Sequence, residues 1–425
     1  MAAQNRNRLT VPPFFFIMKN NEALRCLLCK KPKCSTGCPV RTAVPTCMEL
    51  YREGRLEEAG EILFRNNPLS AITSQVCDWR DFCYGNCVLN IKKIAVRWYE
   101  IEQEISDLYL FNHPLKRRSS NLVGRRIAIV GGGPVGIAAA VWFYEAGATV
   151  TIFEAHERLG GVLRYGIPPF RLDKKYVDVY EKLFAEAGIE LRTGSKLDAD
   201  ALTEITSDYD AVLLGCGAEK TLDLGIPGEK VPSVIQALDF LAKPEAFEVK
   251  GRKVIVIGGG NVAMDACRTA AHLGADTAIY YRKTYENMPA NPIEIELAQR
   301  DGVRIKVFEA PVEVKSKTVV FRSCENFFDP ESGKLMTRIL NGTDHEVPCD
   351  ILIKAIGEKP DFTLLQGLGC EFDNFGWPLT GDNGTLVCRC DNVFIAGDFI
   401  IGPSTVVQAV ASAKKAVHGI IDLLK

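Results

Sequence analysis

The sequence predicts an α/β protein with parallel sheets, preceded by an α-helical N-terminal region. After about residue 120, Val- and Ile-rich strands alternate with Ala-rich helical stretches, as in a parallel sheet with crossover helices. This part of the chain contains two motifs of strand, glycine turn and helix. Before residue 90, eight of the fifteen cysteines lie in a segment with few β-branched runs and with helix-like stretches such as 43–64.

The composition excludes several classes of protein. The chain has 425 residues, 47% hydrophobic, with 51 basic against 53 acidic side chains. Its near-zero charge counts against a nucleic-acid partner, and its apolar content excludes disorder. The apolar stretch 11–18 is short and contains Pro12 and Pro13, so we expect no signal peptide, no membrane span and a cytoplasmic location. In that reducing compartment, clustered cysteines favour metal binding over disulfides.

A polar and basic run, 115–121, separates the two regions. We interpret it as a solvated connector, which sets the first domain boundary near residue 120.

The first glycine turn has the spacing of a dinucleotide fingerprint. Strand 126–130 is followed by Gly131, Gly133-Pro134 and Gly136, and then by an Ala-rich helix. The first glycine permits the tight turn, the second admits a pyrophosphate, and the third lets the helix pack on the strand. Glu154 ends the next strand, where a carboxylate accepts hydrogen bonds from a ribose.

The second turn differs at that acidic position. Strand 253–257 is followed by Gly258, Gly260-Asn261-Val262 and Ala263, but the next strand ends in Arg282-Lys283. Arginine there suits the 2′-phosphate of NADP, so the sequence favours NADPH and leaves NADH open. Two such turns indicate a protein that holds two dinucleotides.

Seven cysteines form two runs that suit a metal centre. The runs are Cys26-x2-Cys29-x4-Cys34-x3-Cys38-Pro39 and Cys77-x5-Cys83-x3-Cys87. Paired Cys-x2-Cys units typical of structural zinc are missing, and the Cys-Pro ending is similar to ferredoxin-type runs, whose fourth cysteine ligates the other cluster. By that rule Cys38 joins Cys77, Cys83 and Cys87, and the cluster of Cys26, Cys29 and Cys34 lacks one ligand. Dinucleotide sites in the same chain favour iron–sulfur over zinc, because electrons then need a path.

Other residues are assigned no chemistry. The cysteines after residue 200 form no Cys-x2-Cys, which counts against a disulfide reductase, and the five histidines show no pairing. Phe14-Phe15-Phe16 is equally consistent with an arm that docks on a partner and with a plug in the protein's own core.

Several longer segments resemble one family. They are 76–87, 160–168 (Gly-Gly-Val-Leu-Arg-Tyr-Gly-Ile-Pro), 286–289, 396–398 and 402–407. The chain is similar, from Cys26 to its end, to the NADPH-dependent small subunit of glutamate synthase and to the N-terminal half of dihydropyrimidine dehydrogenase.

The resemblance implies an electron-transfer protein with three domains. A helical domain (1–120) would hold two 4Fe–4S clusters. Two nested Rossmann-like domains of the glutathione-reductase type would follow, an FAD domain (121–247 and 360–425) and an inserted NAD(P)H domain (248–359). The family's missing cluster ligand is a Gln or Glu beyond the last cysteine, here Glu102. The thiol of Cys47 could also serve as the fourth ligand of this cluster, but we interpret Cys47 as a buried helix residue.

The resemblance also implies the cofactor contacts. FAD would lie on the first turn, Glu154, Gly161, Val162, Arg171, Gly397 and Asp398, with Thr405-Val406 presenting a helix N-terminus to the flavin. NADPH would lie on the second turn, Arg282, Lys283 and Ala355-Ile356-Gly357. Pro289 replaces an arginine of dihydropyrimidine dehydrogenase, so NADP preference depends on Arg282 and Lys283.

The function implied is an NAD(P)H-oxidising flavoprotein subunit. Hydride would pass from NADPH to FAD, and single electrons would then cross the clusters to a partner catalytic subunit in a hetero-oligomer. No catalytic side chain is predicted, because the cofactors carry this chemistry. The alternatives are a ferredoxin–NAD(P) oxidoreductase, either alone or in an electron-bifurcating complex, and a non-catalytic module. The intact fingerprints count against the last.

Overall fold

The computed structural model describes residues 21–331, 333–381 and 384–425. Phe14-Phe15-Phe16 lies outside these residues, so neither interpretation of it is tested. Among the described helices, none combines the length and the apolar character needed to cross a membrane.

The N-terminal region is helical, as expected. Its helices are α1 (Lys33–Gly37), α2 (Val44–Arg52), α3 (Leu56–Asn66), α4 (Ser70–Val76) and α5 (Trp98–Asn112). Pro45 lies in the first turn of α2, where its missing N–H costs no hydrogen bond. Met48, Leu63 and Ile101 form the centre of a small core to which α2, α3 and α5 contribute. The cysteine loops lie around this core.

The first parallel sheet begins after the connector. Its elements are β1 (Arg126–Val130), α6 (Pro134–Glu145), β2 (Thr149–Phe153), α7 (Val162–Tyr165), α8 (Lys175–Ala187), β3 (Glu190–Arg192), α9 (Ala199–Asp208) and β4 (Ala211–Leu214). The four strands are parallel in the order β4-β1-β2-β3. Helix α6 is buried nearly all round and packs on this sheet.

The second unit follows as an insertion. Its elements are β5 (Lys220–Thr221), β6 (Val234–Gln236), α10 (Ala237–Ala242), β7 (Lys253–Ile257), α11 (Asn261–His272), β8 (Asp276–Tyr281), α12 (Pro292–Arg300), β9 (Arg304–Val307), β10 (Glu309–Val314), β11 (Thr318–Phe328), β12 (Leu335–Ile339), β13 (His345–Pro348), β14 (Ile351–Lys354) and β15 (Glu358–Lys359). The parallel order is β6-β14-β7-β8-β9, while β10 to β13 form an antiparallel sheet. Strands β5 and β15 pair where the chain enters and leaves the unit.

The strand pairing moves the boundary that we drew at residue 247. Strand β6 pairs with β14, and α10 belongs to the same core as α11. Residues 234–247 therefore lie in the second unit, not with the first sheet. Strand β6 is only three residues long and its partner is far along the chain, so no local pattern indicated the pairing.

The chain then returns to the first sheet. Strand β16 (Val393–Ile395) pairs with β4, followed by α13 (Asp398–Ile401) and α14 (Val406–Leu424). The order β16-β4-β1-β2-β3 is thus completed only after the insertion, and the predicted class of nested Rossmann-like domains is confirmed.

The helical region is fixed to the first sheet by buried polar contacts. Trp142 Nε1 donates to Arg65 O at 2.9 Å, and Tyr180 OH donates to Pro68 O at 2.6 Å. The connector takes part, because Arg118 pairs with Glu61 at 2.5 Å and with Glu145 at 2.8 Å. It is therefore an anchored segment, and the expectation of a solvated connector was wrong for Arg118.

Candidate cofactor sites

The glycines of the first turn divide into two kinds. Gly131 has φ +106°, and a Cβ there would lie 2.5 Å from Gly215 O, while one at Gly136 would lie 2.0 Å from Gly131 O. Both are required by packing. Gly133 has φ −79°, and a Cβ there would find its nearest heavy atom, Gly161 Cα, at 3.9 Å. Nothing in the protein requires glycine at 133, so the space above it suits an approaching ligand.

Glu154 lies beside this turn at the end of β2. It is buried, and its carboxylate accepts hydrogen bonds from Gly132 N (2.6 Å), His156 N (2.7 Å) and His156 Nδ1 (2.9 Å). Two carboxylate oxygens offer about four lone pairs, so the group can also accept from a ribose hydroxyl. Gly161, at φ +50°, brings the start of α7 and Val162 back to Gly133.

The C-terminal segment closes on the same turn. Gly397 has φ +67°, and a Cβ there would lie 2.4 Å from Val135 Cγ2 in α6. Burial raises the pKa of Asp398, which accepts a hydrogen bond from Ser404 Oγ at 2.5 Å. Thr405 caps α14, while the amides of Val406 and Val407 find no backbone acceptor among the described residues. The start of α14 therefore offers two free donors to an anion.

The second turn repeats this division. A Cβ at Gly258, where φ is +143°, would lie 2.1 Å from Ala355 O and 3.4 Å from Ala263 Cβ. Segment 355–357 therefore abuts the turn, with Gly357 at φ +110°. Gly260 has φ −88°, and a Cβ added there would have no heavy atom within 4 Å. As in the first turn, the open space for a ligand lies at the second glycine of the motif.

The residues flanking this space are partly engaged. Asn261 begins α11, and its Oδ1 accepts a hydrogen bond from Asn291 N at 2.9 Å. Val262 is half-buried beside it. Arg282 and Lys283 follow β8 directly, and both side chains are exposed without an ion-pair partner among the described residues. Strand β8 neighbours β7, so its carboxyl end lies beside the turn, as in dinucleotide sites.

The cysteines form two groups, but not the two that the spacing predicted. Cys26 and Cys87 are neighbours of the Cys34 thiol, and Cys29 and Cys87 are neighbours of the Cys26 thiol. Around Cys77 the neighbours are Glu102, Cys83 and Cys38, while Cys83 has Glu102 and Cys38 and also, more weakly, Cys34. These neighbours favour a first group of Cys26, Cys29, Cys34 and Cys87. They favour a second group of Cys38, Cys77, Cys83 and Glu102, in which Cys83 borders the first.

This grouping differs from two expected assignments. Cys87 was expected with Cys38, and Glu102 was expected to complete the set of Cys26. The neighbours retain the crossover of Cys38 to the later cysteines, but they place Cys87 nearer the Cys26 group and Glu102 nearer Cys77 and Cys83. The ligand set of each cluster stays a prediction.

Glu102 is unusual for a carboxylate. It is 8% exposed on α5, and burial raises its pKa to about 8. Cys47 is fully buried in the core of α2, as expected, and burial raises the pKa of its thiol to about 12.

The donor arrangement does not suit a single metal ion. Among residues 21–331, 333–381 and 384–425, no three His, Cys, Asp or Glu side chains converge as one ion would need. The four cysteines of the first group instead line a pocket, together with Cys83 of the second group and with Met48, Val96 and Trp98. A cluster of four irons places each thiolate on a different iron, so its ligands surround a volume rather than one point.

Comparison with known families assigns both halves of the chain. Residues 14–113 match the family described as dihydropyrimidine dehydrogenase domain II, 4Fe-4S cluster. Residues 95–206 and 174–413 match the pyridine nucleotide-disulphide oxidoreductase family.

Whole-length relatives refine this assignment. The chain is 32% identical to "Glutamate synthase [NADPH] small chain" of Escherichia coli K12, over 97% of this chain and 93% of that protein. It is 33% identical to the small chain of Azospirillum brasilense, over 94% and 88%. The chain belongs to the glutamate synthase small-chain family. A structure titled "Mycobacterium tuberculosis FprA in complex with NADPH" shares the fold, with a TM-score of 0.60, 20% identity, and coverage of 70% of this chain and 84% of that one.

The small-chain family confirms the expected cofactors and class. The protein is an NAD(P)H-dependent oxidoreductase with FAD and 4Fe–4S chemistry. Its two open glycine positions and two cysteine groups fit these cofactors. The contacts of individual residues with each cofactor stay predictions.

Arg171 shows what sequence reasoning missed within this small-chain fold. Its guanidinium pairs with Asp265 of α11 at 2.6 Å and with Glu294 of α12 at 3.1 Å. These pairs join the first unit to the second, and Arg268 extends them to Glu294 at 2.7 Å. Burial raises the pKa of Asp265 to about 6, although Arg171 lowers it. No local sequence pattern indicated these pairs, and the predicted FAD contact of Arg171 stays a prediction.

Proposed function

We propose that the protein oxidises NADPH on its second unit and delivers the electrons, through FAD and two 4Fe–4S clusters, to a separate protein. The observation that carries this is the open space at Gly133 and Gly260. Neither glycine is required by φ or by packing, whereas the first glycine of each turn is required by both. Glycine at these two positions therefore serves a ligand.

The second unit would hold NADPH. The N–H groups at the start of α11 would face the pyrophosphate, and Arg282 with Lys283 would face the 2′-phosphate. Both cations are exposed and unpaired among the residues described, so binding a phosphate would break no existing ion pair. Asn261 and segment 355–357 would border the nucleotide.

The first unit would hold FAD. Glu154 would accept from the ribose, while Val162 and Asp398 would border the cofactor. The free amides of Val406 and Val407 would stabilise negative charge on the ring. When bound, the flavin supplies the exchange between a two-electron donor and one-electron acceptors.

The cysteine groups are ordered in space. Cys38 and Cys77 pack against the core that contains the first sheet, and Lys414 of α14 has Cys38 as a charged neighbour. Cys26, Cys34 and Cys87 pack against the small helical core instead, as does Cys83 at the border of the two groups. The Cys38 group would therefore be the inner centre, and the Cys26 group the outer one.

The electron acceptor would be a partner catalytic subunit in a hetero-oligomer. The relatives are named small chains, which supports a larger partner. A ferredoxin–NAD(P) oxidoreductase is the second candidate, because ferredoxin is also a one-electron acceptor that iron–sulfur clusters can serve. We also propose a cytoplasmic location, because all fifteen cysteines are free thiols.

Cofactor analysis of anaerobically purified protein tests this function. Two clusters and one flavin predict about eight irons, about eight acid-labile sulfides and one FAD per chain. NADPH should bleach the flavin absorbance and reduce a dye acceptor. Two zinc ions without sulfide, or a flavin that NADPH does not reduce, would contradict the proposal.

A further inference from the structure

The surface around the Cys26 group combines exposed aliphatic side chains with unpaired lysines. Leu24 (67% exposed), Leu27 (62%), Ile91 (88%) and Ile94 (50%) are open to solvent. The exposed lysines are Lys30, Lys31, Lys33, Lys92 and Lys93. These nine residues form what we call the outer surface.

The two segments that supply these residues lie together. The guanidinium of Arg25 donates to Ile94 O, and one pocket is lined by Leu27, Lys33 and Leu89 together with the cysteines. Leu27 and Lys33 of the outer surface therefore line the pocket of the Cys26 group. Their neighbours Cys26, Leu28 and Leu89 pack on the small helical core, whereas Cys38 and Cys77 pack toward the first sheet.

The charge of this surface is one-sided. Segments 23–48 and 82–99 contain eight basic and no acidic residues, although the whole chain carries a net charge of −2. Arg25 pairs with Glu22 at 2.8 Å, and Arg97 pairs with Glu100 at 3.1 Å and with Glu22 at 3.6 Å. The five lysines of the outer surface have no ion pair with any described residue. The first twenty residues contain no Asp or Glu, so they cannot supply one.

We propose that the outer surface docks an acidic protein that accepts one electron at a time. This rests on the proposed function, since it assigns the exit point of the electrons. Carboxylates on the partner would meet the lysines and steer the encounter, and the aliphatic residues would form the dry centre of the contact. Nucleic acid is disfavoured, because the exposed apolar residues here are aliphatic and offer no aromatic ring for base stacking.

Two small haem proteins of opposite charge test this with the holoenzyme. Cytochrome b5 is acidic and cytochrome c is basic, and both accept one electron. The Lys31→Glu/Lys92→Glu double variant should lower kcat/KM for NADPH-driven reduction of cytochrome b5 at least about tenfold at low ionic strength. It should raise kcat/KM for cytochrome c, and the difference from wild type should shrink as salt screens the charges. The matched control Lys250→Glu/Lys317→Glu reverses two exposed lysines of the second unit and should change neither rate.

Binding supplies a second readout. Ile91→Ser should weaken cytochrome b5 binding to the immobilised holoprotein, while the urea midpoint stays at the wild-type value because Ile91 buries little. Reduction of menadione, a neutral quinone, should be unchanged in every variant with full iron and flavin content. Equal cytochrome b5 kinetics in both double variants, or tight binding of duplex DNA without binding of cytochrome b5, would overturn the inference. The proposed function would survive that outcome, but it would fall if NADPH did not reduce the flavin.

Discussion

Replacing Arg171 tests the contact between the two nucleotide-binding units. Its side chain is 13% exposed, and it faces Asp265 (4%) and Glu294 (13%) across the boundary. Arg171→Met removes the cation and leaves Asp265 buried without its main partner. Glu294 retains Arg268 at 2.7 Å, so the unpaired charge falls chiefly on Asp265.

Protonation of Asp265 limits the loss of stability. Removing one partner of a buried ion pair typically costs about 3–5 kcal/mol. The orphaned carboxyl can instead take a proton, at about 1.4 kcal/mol for each pH unit above its pKa in the wild-type protein, which burial already raises to about 6. This ceiling is about 2 kcal/mol at pH 7.5 and close to zero at pH 5.5. We therefore expect a loss of about 2 kcal/mol at pH 7.5 that nearly vanishes at pH 5.5.

The sign of this pH dependence follows from proton binding. In the folded wild type the pKa of Asp265 is already about 6, and loss of Arg171 raises it further. Above about pH 6 the folded variant therefore binds more protons than the folded wild type, so acidification through this range stabilises the variant relative to wild type. Urea unfolding of the holoprotein, followed by tryptophan fluorescence at both pH values, measures the difference.

Arg158→Met is the matched control. Arg158 also makes two ion pairs, with Asp178 at 2.9 Å and Glu181 at 2.5 Å, but its side chain is 49% exposed. Solvent screening limits its effect to about 1 kcal/mol or less. A loss in Arg171→Met that matches this control, or that is the same at both pH values, would refute the reasoning.

Four further predictions concern the cofactor sites. Gly260→Ala should leave the urea midpoint unchanged, because φ is −88° and no protein atom lies within 4 Å of the new Cβ. The same variant should raise the KM for NADPH, and an unchanged KM would show that the space holds no nucleotide. Arg282→Ala should raise the KM for NADPH about tenfold and leave that for NADH nearly unchanged in a dye assay, since only NADPH has a 2′-phosphate; equal changes would make Arg282 an ordinary surface charge. Cys29→Ser should alter the EPR signal and iron content of the outer cluster alone. Glu102→Ala should alter the inner cluster alone, with Cys47→Ala as the silent control, and an effect on the outer cluster would restore the grouping expected from spacing.

The sequence determined the features that depend on short-range sterics. Each fingerprint glycine sits in a turn that closes within six residues, so the strand, the turn and the start of the helix could be predicted together. The same holds for Glu154 at the end of β2. It also holds for Thr405, which caps α14 by forming reciprocal side-chain hydrogen bonds with Gln408, three residues further on. The resemblance of longer segments to the family predicted that one nucleotide-binding unit is inserted in the other. It also identified Glu102 as a candidate cluster ligand.

Only the tertiary structure decided which distant residues meet. Spacing counts residues along the chain, so it could not show that Cys87 crosses to the Cys26 group while Glu102 turns toward Cys77. Arg171 and Asp265 are 94 residues apart, on elements whose local patterns are complete without each other. Strand β6 likewise pairs with β14 across more than a hundred residues. These contacts form because burying the apolar faces of the elements brings their remaining polar groups together, and no local pattern encodes that arrangement.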